Sequence, residues 1–318
     1  MIANKFPNLD DLQWSVKDNE KLNPLLRQQT RFAFAEAFSM IPYGLLKQIS
    51  LQYFNQSPNN QELNSSSALI PSCPQIDHLS LALYTISQAK YLTHLDLGAA
   101  VVISPSLFWP ETQIKPPSWP NLVSVELDFS MNTADGDWYF VREDSDTEVE
   151  SNNDNADLEA GAITTEQNPD PDIPDTYNEN IVALATGQKP YRHYRIRADP
   201  GKLNPLFVAA AKAAACMPRL QRMSLSTVVK GSTERRSPWR RLKHSWGFTF
   251  AMTYSEALGE RTGGSAAGSR SFDDVSRLDW AVGLSGYEPE ESILELWRLA
   301  KGEVVQTVTD ETFFAFQM

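Results

Sequence analysis

The clearest order in the chain is a hexapeptide with apolar residues at its first, fourth and sixth positions. It stands at Leu9-Leu12-Trp14, Leu46-Ile49-Leu51, Ile76-Leu79-Leu81, Leu92-Leu95-Leu97, Leu122-Val125-Leu127 and Leu220-Met223-Leu225. Pro7, Pro74, Pro120 and Pro218 come just before four of these six copies. The last three residues of each copy alternate apolar, polar, apolar, as a strand with one buried face must. The first apolar residue turns inward just ahead of the strand.

Successive copies begin 37, 30, 16, 30 and 98 residues apart. Several spacers read as helices. Thr30–Met40 puts Phe34, Ala37 and Phe38 on one face, with Ile41 following, and stops at Pro42. Residues 205–217 are Ala-rich, with a Pro in the first turn and Pro218 after the end. Strand, helix and strand in order, with right-handed crossovers, give a parallel sheet that carries its helices on one side. The 16-residue interval leaves only 10 residues between Leu81 and Leu92, which predicts a bare turn or one helical turn there. L-x-x-L-x-L is the core spacing of leucine-rich repeats. The expected class is therefore α/β: a leucine-rich-repeat-like solenoid, a curved and mainly parallel sheet with helices on its convex side.

Beyond Leu225 the hexapeptide fades. Residues 246–254 alternate Phe248, Phe250, Met252 and Tyr254 and predict a strand, as do residues 278–284. Residues 259–271, rich in Gly and Ser, predict a mobile loop. Residues 289–301 open with Pro and acids and end in Lys and Arg, which predicts a helix. Val304–Phe316 would then close the sheet edge.

Charge alters the domain picture. The 318 residues hold 28 Lys and Arg against 40 Asp and Glu, a formal net charge of −12. Thirteen of the acids fall between Glu143 and Glu179, and no Lys or Arg lies between Arg142 and Lys189. Without those 13 the balance is 28 against 27, or +1. The acidic stretch is also poor in large apolar residues, so it cannot bury enough surface to offset its ordering entropy. The expected organisation is an N-terminal part of the repeat arc over 1–142, a disordered acidic insert over 143–188, and the rest of the arc with its capping elements over 189–318.

With 42 % apolar residues the chain can bury a core, and global disorder is excluded. Cys73 and Cys216 are too few for a disulfide framework, and no C-x-x-C pair offers a zinc site. The first residues lack a basic start and an unbroken apolar run, so no secretory leader is expected. The longest apolar stretches are too short for a bilayer. The expectation is a cytoplasmic or nuclear protein that does not engage membranes.

In a repeat strand, the residues flanking the fourth-position aliphatic point away from the core, onto the concave face. One row is Asp11, Gln48, His78, His94, Ser124 and Arg222. The neighbouring row is Gln13, Ser50, Ser80, Asp96, Glu126 and Ser224. Neither row holds a large apolar residue. These twelve are the candidate partner-binding residues, and the expected partner is a protein client on the concave face. His78 and His94, with Asp96 and Glu126 one row over, also raise the alternative of a metal-dependent enzyme. No G-x-S-x-G, H-E-x-x-H or Walker pattern occurs, and Asp135-Gly136-Asp137 is read as a turn rather than a calcium loop. Residues 230–243 carry six basic residues and Glu234, and docking of the acidic insert or plain solvation is the expectation for them, ahead of an external acidic partner or nucleic acid. The primary reading is a scaffold that needs no cofactor and performs no catalysis.

Residues 119–140, with FWP at 108–110, AFAEAFSMIPYGLLKQISLQYF over 33–54 and NPLFVAAAKAAACMPRLQRMSL over 204–225, resemble fungal F-box-type proteins with degenerate leucine-rich repeats. The resemblance implies the substrate-binding part of a ubiquitin-ligase receptor, in which the repeats hold the client and an F-box grips the cullin-ligase adaptor. The F-box itself is not visible, since a repeat strand starts at Leu9. The adaptor is thus a partner only through an F-box upstream of Met1.

Overall fold

The computed structural model describes residues 8–18, 24–55, 61, 65–71, 75–111, 115–141, 195–237, 240–256, 276–302, 304–309 and 313–316. The acidic segment, Cys73, His193 and the Gly/Ser-rich loop at 259–271 lie outside them.

The chain is α/β, with a mostly parallel sheet backed by helices. Five of the six hexapeptides become neighbouring parallel strands: β1 (Asp11–Asp18), β2 (Gln48–Asn55), β3 (His94–Val101), β4 (Ser124–Phe129) and β7 (Arg222–Ser237). Between β4 and β7 in sequence, a separate antiparallel pair joins β5 (Phe140–Val141) to β6 (Arg197–Ala198). The sheet continues through β8 (Arg240–Ser255), antiparallel to β7, and β9 (Arg277–Ala281), antiparallel to β8. It ends in β10 (Val305–Thr309), parallel to β9, while β11 (Phe313–Phe316) pairs antiparallel with the outer part of β8. Among these nine strands only β8 runs against the rest.

Among the described residues, four α-helices lie in the connections: α1 (Pro24–Ser39), α2 (His78–Ser87), α3 (Pro200–Ala215) and α4 (Glu291–Lys301). All four contribute to one hydrophobic core with the inward residues of the strands. Phe38 of α1, Leu83 of α2, Phe207 of α3 and Trp297 of α4 join Leu12, Ile49, Leu51, Leu95, Leu97, Val125, Leu127, Met223 and Leu225 there. Because β4 pairs directly with β7 across the acidic segment, the residues before and after it share this sheet and core.

The strands share an in-line start. The amides of Lys47 and Gln48 both donate to Asp10 O, those of Thr93 and His94 to Lys47 O, those of Val123 and Ser124 to Thr93 O, and those of Gln221 and Arg222 to Val123 O. This ladder sets each hexapeptide's register from its neighbour. The Pro-Asn and Pro-Arg lead-ins add a side-chain chain, in which Arg219 Nη1 donates to Asn121 Oδ1 at 2.9 Å and Asn121 Nδ2 donates to Lys90 O at 2.7 Å.

The remaining hexapeptide, Ile76-Leu79-Leu81, departs from expectation. Residues 76–81 do not form a strand; they open α2. An apolar pair three residues apart suits a helix as well as a strand, and Asp77 decides the matter as N-cap, accepting from Ser80 N at 3.3 Å. Leu79, Leu83 and Ile86 then make the buried face, while Leu81 is half-buried. The turn expected between Leu81 and Leu92 is instead mostly helix. Helix α1 also begins earlier than Thr30, because the buried positions of its first half hold Arg27 and Arg31, which hide the apolar period. At the far end, the stretch 304–316 expected to close the sheet edge holds two strands, β10 beside β9 and β11 beside β8.

Candidate functional site

With the helices on one side, the opposite side of the sheet is left polar. Cα pairing runs Asp11↔Gln48↔His94↔Ser124↔Arg222 in one row and Gln13↔Ser50↔Asp96↔Glu126↔Ser224 in the next. These ten predicted residues are therefore lateral neighbours on one exposed or half-buried face, about 4.8 Å apart from strand to strand. Pairing through β8, β9 and β10 extends the second row to Thr253, Asp279 and Thr307.

His78 and Ser80 do not belong to these rows. Both lie in α2, in the helix layer. The His78 ring meets Phe32 of α1 edge-on, with centroids 4.9 Å apart, whereas His94 starts β3 and shares a 2.8 Å hydrogen bond with Thr93 Oγ1. The four-residue cluster of His78, His94, Asp96 and Glu126 is thus divided between the two sides of the sheet. Among the described residues no three His, Cys, Asp or Glu side chains are grouped as metal ligands.

Ser80 has a structural post. Its Oγ donates to Asp77 Oδ2 at 2.5 Å and accepts from Ser104 N at 3.0 Å, while Arg31 Nη2 reaches Asp77 Oδ1 at 2.7 Å. The Arg31 and Asp77 side chains are 4 % and 3 % exposed. Burial pushes the Asp77 carboxyl up, but the Arg31 charge and the Ser80 donors outweigh burial and hold it below its ordinary value. Burial likewise works against the Arg31 charge, and Asp77 with Tyr53 more than offsets that. This pair ties α1 to the start of α2.

At the centre of the polar face sits Asp96. Its Oδ2 accepts from Ser50 Oγ at 2.8 Å and from Gln52 Nε2 at 3.3 Å. Gln52 pairs laterally with Gly98, and a Cβ on Gly98 would stand 2.7 Å from the Gln52 amide, so the missing side chain is what lets Gln52 lie toward Asp96. Directly beyond Gly98, Ala99 and Ala100 take φ values of 62° and 60°, a left-handed pair that bulges β3 between Leu97 and Val101. Asp128 steadies the bulge by accepting from Ala100 N at 3.1 Å. Glu126 faces Arg222 at 3.7 Å, with both side chains about half exposed, so this pair contributes little.

Gln52, Gly98 and Asp128 were not among the predicted site residues. Their signal is present nonetheless: each lies one position past a hexapeptide, at the parity of its second polar row. Asp135-Gly136-Asp137 is a turn, as expected. Gly136 has a φ of 97°, Gly136 N donates to Thr133 O, and Asp137 pairs with Lys202 of α3.

A side chain on the polar face has other polar side chains as its lateral neighbours. Such a surface can offer many moderate hydrogen bonds and a net acidic centre at Asp96, Glu126 and Asp128. No helix among the described residues is long and apolar enough to cross a membrane. No protein-family model matches the chain. No curated protein and no solved structure matches it significantly.

Proposed function

We propose that the protein is a non-catalytic interaction scaffold that holds a polypeptide client on the polar face of its sheet. The observation that carries this reading is the lateral register of Asp11, Gln48, His94, Ser124 and Arg222 beside Gln13, Ser50, Asp96, Glu126 and Ser224, on the side opposite all four helices. In this reading β1 to β4 and β7 are leucine-rich-repeat-like rungs of a solenoid, and the polar rows are its concave surface. Rows of fixed, evenly spaced polar groups suit an extended or helical segment that touches several rungs at once. Affinity would then come from a few anchors among near-neutral contacts.

The ligase-receptor form of the proposal rests on the resemblance of residues 33–54, 108–110, 119–140 and 204–225 to F-box-type repeat proteins. Its consequence is that the product of the full locus brings down a cullin-ligase adaptor together with the client.

The test of the scaffold is a photo-crosslinking residue placed in the full chain at Ser50 or Glu126 and, as a control, at Glu36 or Glu295 on the helix side. The expected result is a discrete cross-linked polypeptide from the first pair only, lost when Arg222→Glu is added. Cross-links from the helix-side positions alone would show that the wrong surface has been assigned.

A further inference from the structure

β1 is one end of the sheet order, and among the described residues no strand pairs with its outer side. Gln48 N donates to Asp10 O, which therefore faces β2. Backbone polar groups alternate sides along a strand, so those of Leu12, Trp14 and Val16 also face β2, and the N–H and C=O of Asp11, Gln13, Ser15 and Lys17 face outward. The core is thin at the same edge. Trp14 and Val16 pack against it yet are only half-buried, while their lateral partners Leu51 and Tyr53 are 0 % and 4 % exposed.

Above this edge, α1 turns an uncharged flank outward. Its Phe34 ring lies 5.1 Å from Trp14 and 6.5 Å from Tyr53, so the helix straddles β1 and β2. Gln28, Arg31 and Phe32 mark the side that faces α2 and its approach, through Ser67, Asp77 and His78. The helical period puts Leu26, Thr30, Ala33 and Ala37 on the flank away from α2. Leu26, Thr30 and Ala33 are exposed, and Ala37 is half-buried. An edge of unpaired amides below an uncharged helix flank suits another strand-and-helix layer.

Which layer fits follows from the order of residues in β1. When an antiparallel copy of β1 is set with Trp14 opposite its own counterpart, Leu12 meets Val16, Gln13 meets Ser15 and Asp11 meets Lys17. Apolar then faces apolar, polar faces polar, and both charges find an unlike partner, twice over by symmetry. Centring the pair on Gln13 or Ser15 instead separates Asp11 from Lys17. The outward-facing residues form the hydrogen-bonded pairs of this ladder, giving about eight bonds in all. At its fringe Asp10 comes across from Asp18, and Lys47, 3.3 Å from Asp10, offsets the repulsion. With each α1 above the middle of its own β1–β2 pair, the two helices would lie roughly 10 Å apart, an ordinary packing distance.

We infer that the outer edge of β1 and the outward flank of α1 are a two-fold interface, occupied by a second copy of this chain. The assembly joins two sheets edge to edge and makes one continuous polar face of two. It does not depend on what that face binds.

Sedimentation of the full chain over a concentration series tests the inference. The expected species is a reversible dimer. Gln13→Pro removes an amide that faces outward and bonds nothing in β2, so it should abolish the dimer while the thermal melt of the diluted monomer stays in place. Asp11→Lys and Lys17→Asp should each weaken association about tenfold, and the two together should restore it. The restoration keeps the test decisive even if the proline variant fails to fold. Hydrogen exchange should show the Gln13 and Ser15 amides protected in the dimer and unprotected on dilution. A chain that stays monomeric at every concentration would overturn the inference, as would assemblies that grow past two copies or a charge exchange that restores nothing. Amide protection that persists in the monomer would give the edge to a segment of the same chain and overturn it equally.

Discussion

The side-chain amide of Gln52 occupies the space that a side chain at Gly98 would need, and from there it donates to Asp96. One absent side chain on β3 thus sets the arrangement of the polar face's acidic centre. Gly98→Ala should push the free end of Gln52 aside and break its hydrogen bond to Asp96, costing about 0.5–1 kcal/mol in urea unfolding, the same as Gln52→Ala, because only a flexible side-chain end has to move. If Gly98→Ala proves neutral, Asp96 does not depend on this contact.

The Arg31–Asp77 pair is buried on the helix side, where loss of one partner strands the other's charge. Asp77→Ala or Arg31→Ala should destabilise by about 3–5 kcal/mol, while an apolar double replacement such as Arg31→Met with Asp77→Leu should cost much less. A double-mutant cycle in urea measures the difference.

The same pair has a pH signature. The folded carboxyl of Asp77 is held below its ordinary value, so the unfolded chain takes up the proton first as pH falls. The stabilisation is complete above the unfolded carboxylate's pKa of 3.8 and is lost as pH drops through the lower folded value. Unfolding titrations on the acid side should therefore show a steeper loss of stability in the native chain than in the apolar double variant. Equal slopes would remove Asp77 from the account.

Ala99 and Ala100 sit where φ is positive and glycine is at ease. Ala99→Gly and Ala100→Gly should each raise stability by about 0.5–1 kcal/mol, net of the added freedom of the unfolded chain, and Ala100→Val should lower it. Thermal melts of the three variants decide the point, since glycine elsewhere in a strand has the opposite effect.

His78 and His94 should separate cleanly. His78→Ala removes an edge-on ring contact with Phe32 and should cost about 0.5–1.5 kcal/mol. His94→Ala, at an exposed strand start, should leave the melt within about 0.5 kcal/mol and report instead on the client interaction.

Much of this molecule is written in the hexapeptides. Leu12, Ile49, Leu95, Val125 and Met223 are all inward residues of laterally paired strands, and the polar residues between them fall into register as their spacing implies. Leu79 misleads because L-x-x-L is also a helical spacing. Only the capping geometry of Asp77 with Ser80 breaks the tie, and that spacing also placed His78 and Ser80 on the wrong side of the sheet. Arg27 and Arg31 conceal the first half of α1, since a buried cation reads as a surface residue until its partner is known. The length of β7 and β8 is equally silent: Lys, Arg, Ser and Gly carry no alternation, and backbone pairing alone draws the ribbon out. Gln52 and Asp128 lie beyond the hexapeptides, and what couples them to Asp96 and to the bulge is the conformation of residues 98–100 rather than any pattern of polarity.

The reversed direction of β8 has a bearing on how this architecture can grow. A duplicated hexapeptide-and-helix unit inserted ahead of β7 would lengthen the array while every neighbour kept its orientation. The same unit added after β7 would meet a strand pointing the other way. The hairpin is in that sense an interruption in the middle of the sheet, and β9, α4 and β10 resume the strand, helix, parallel-strand order on its far side.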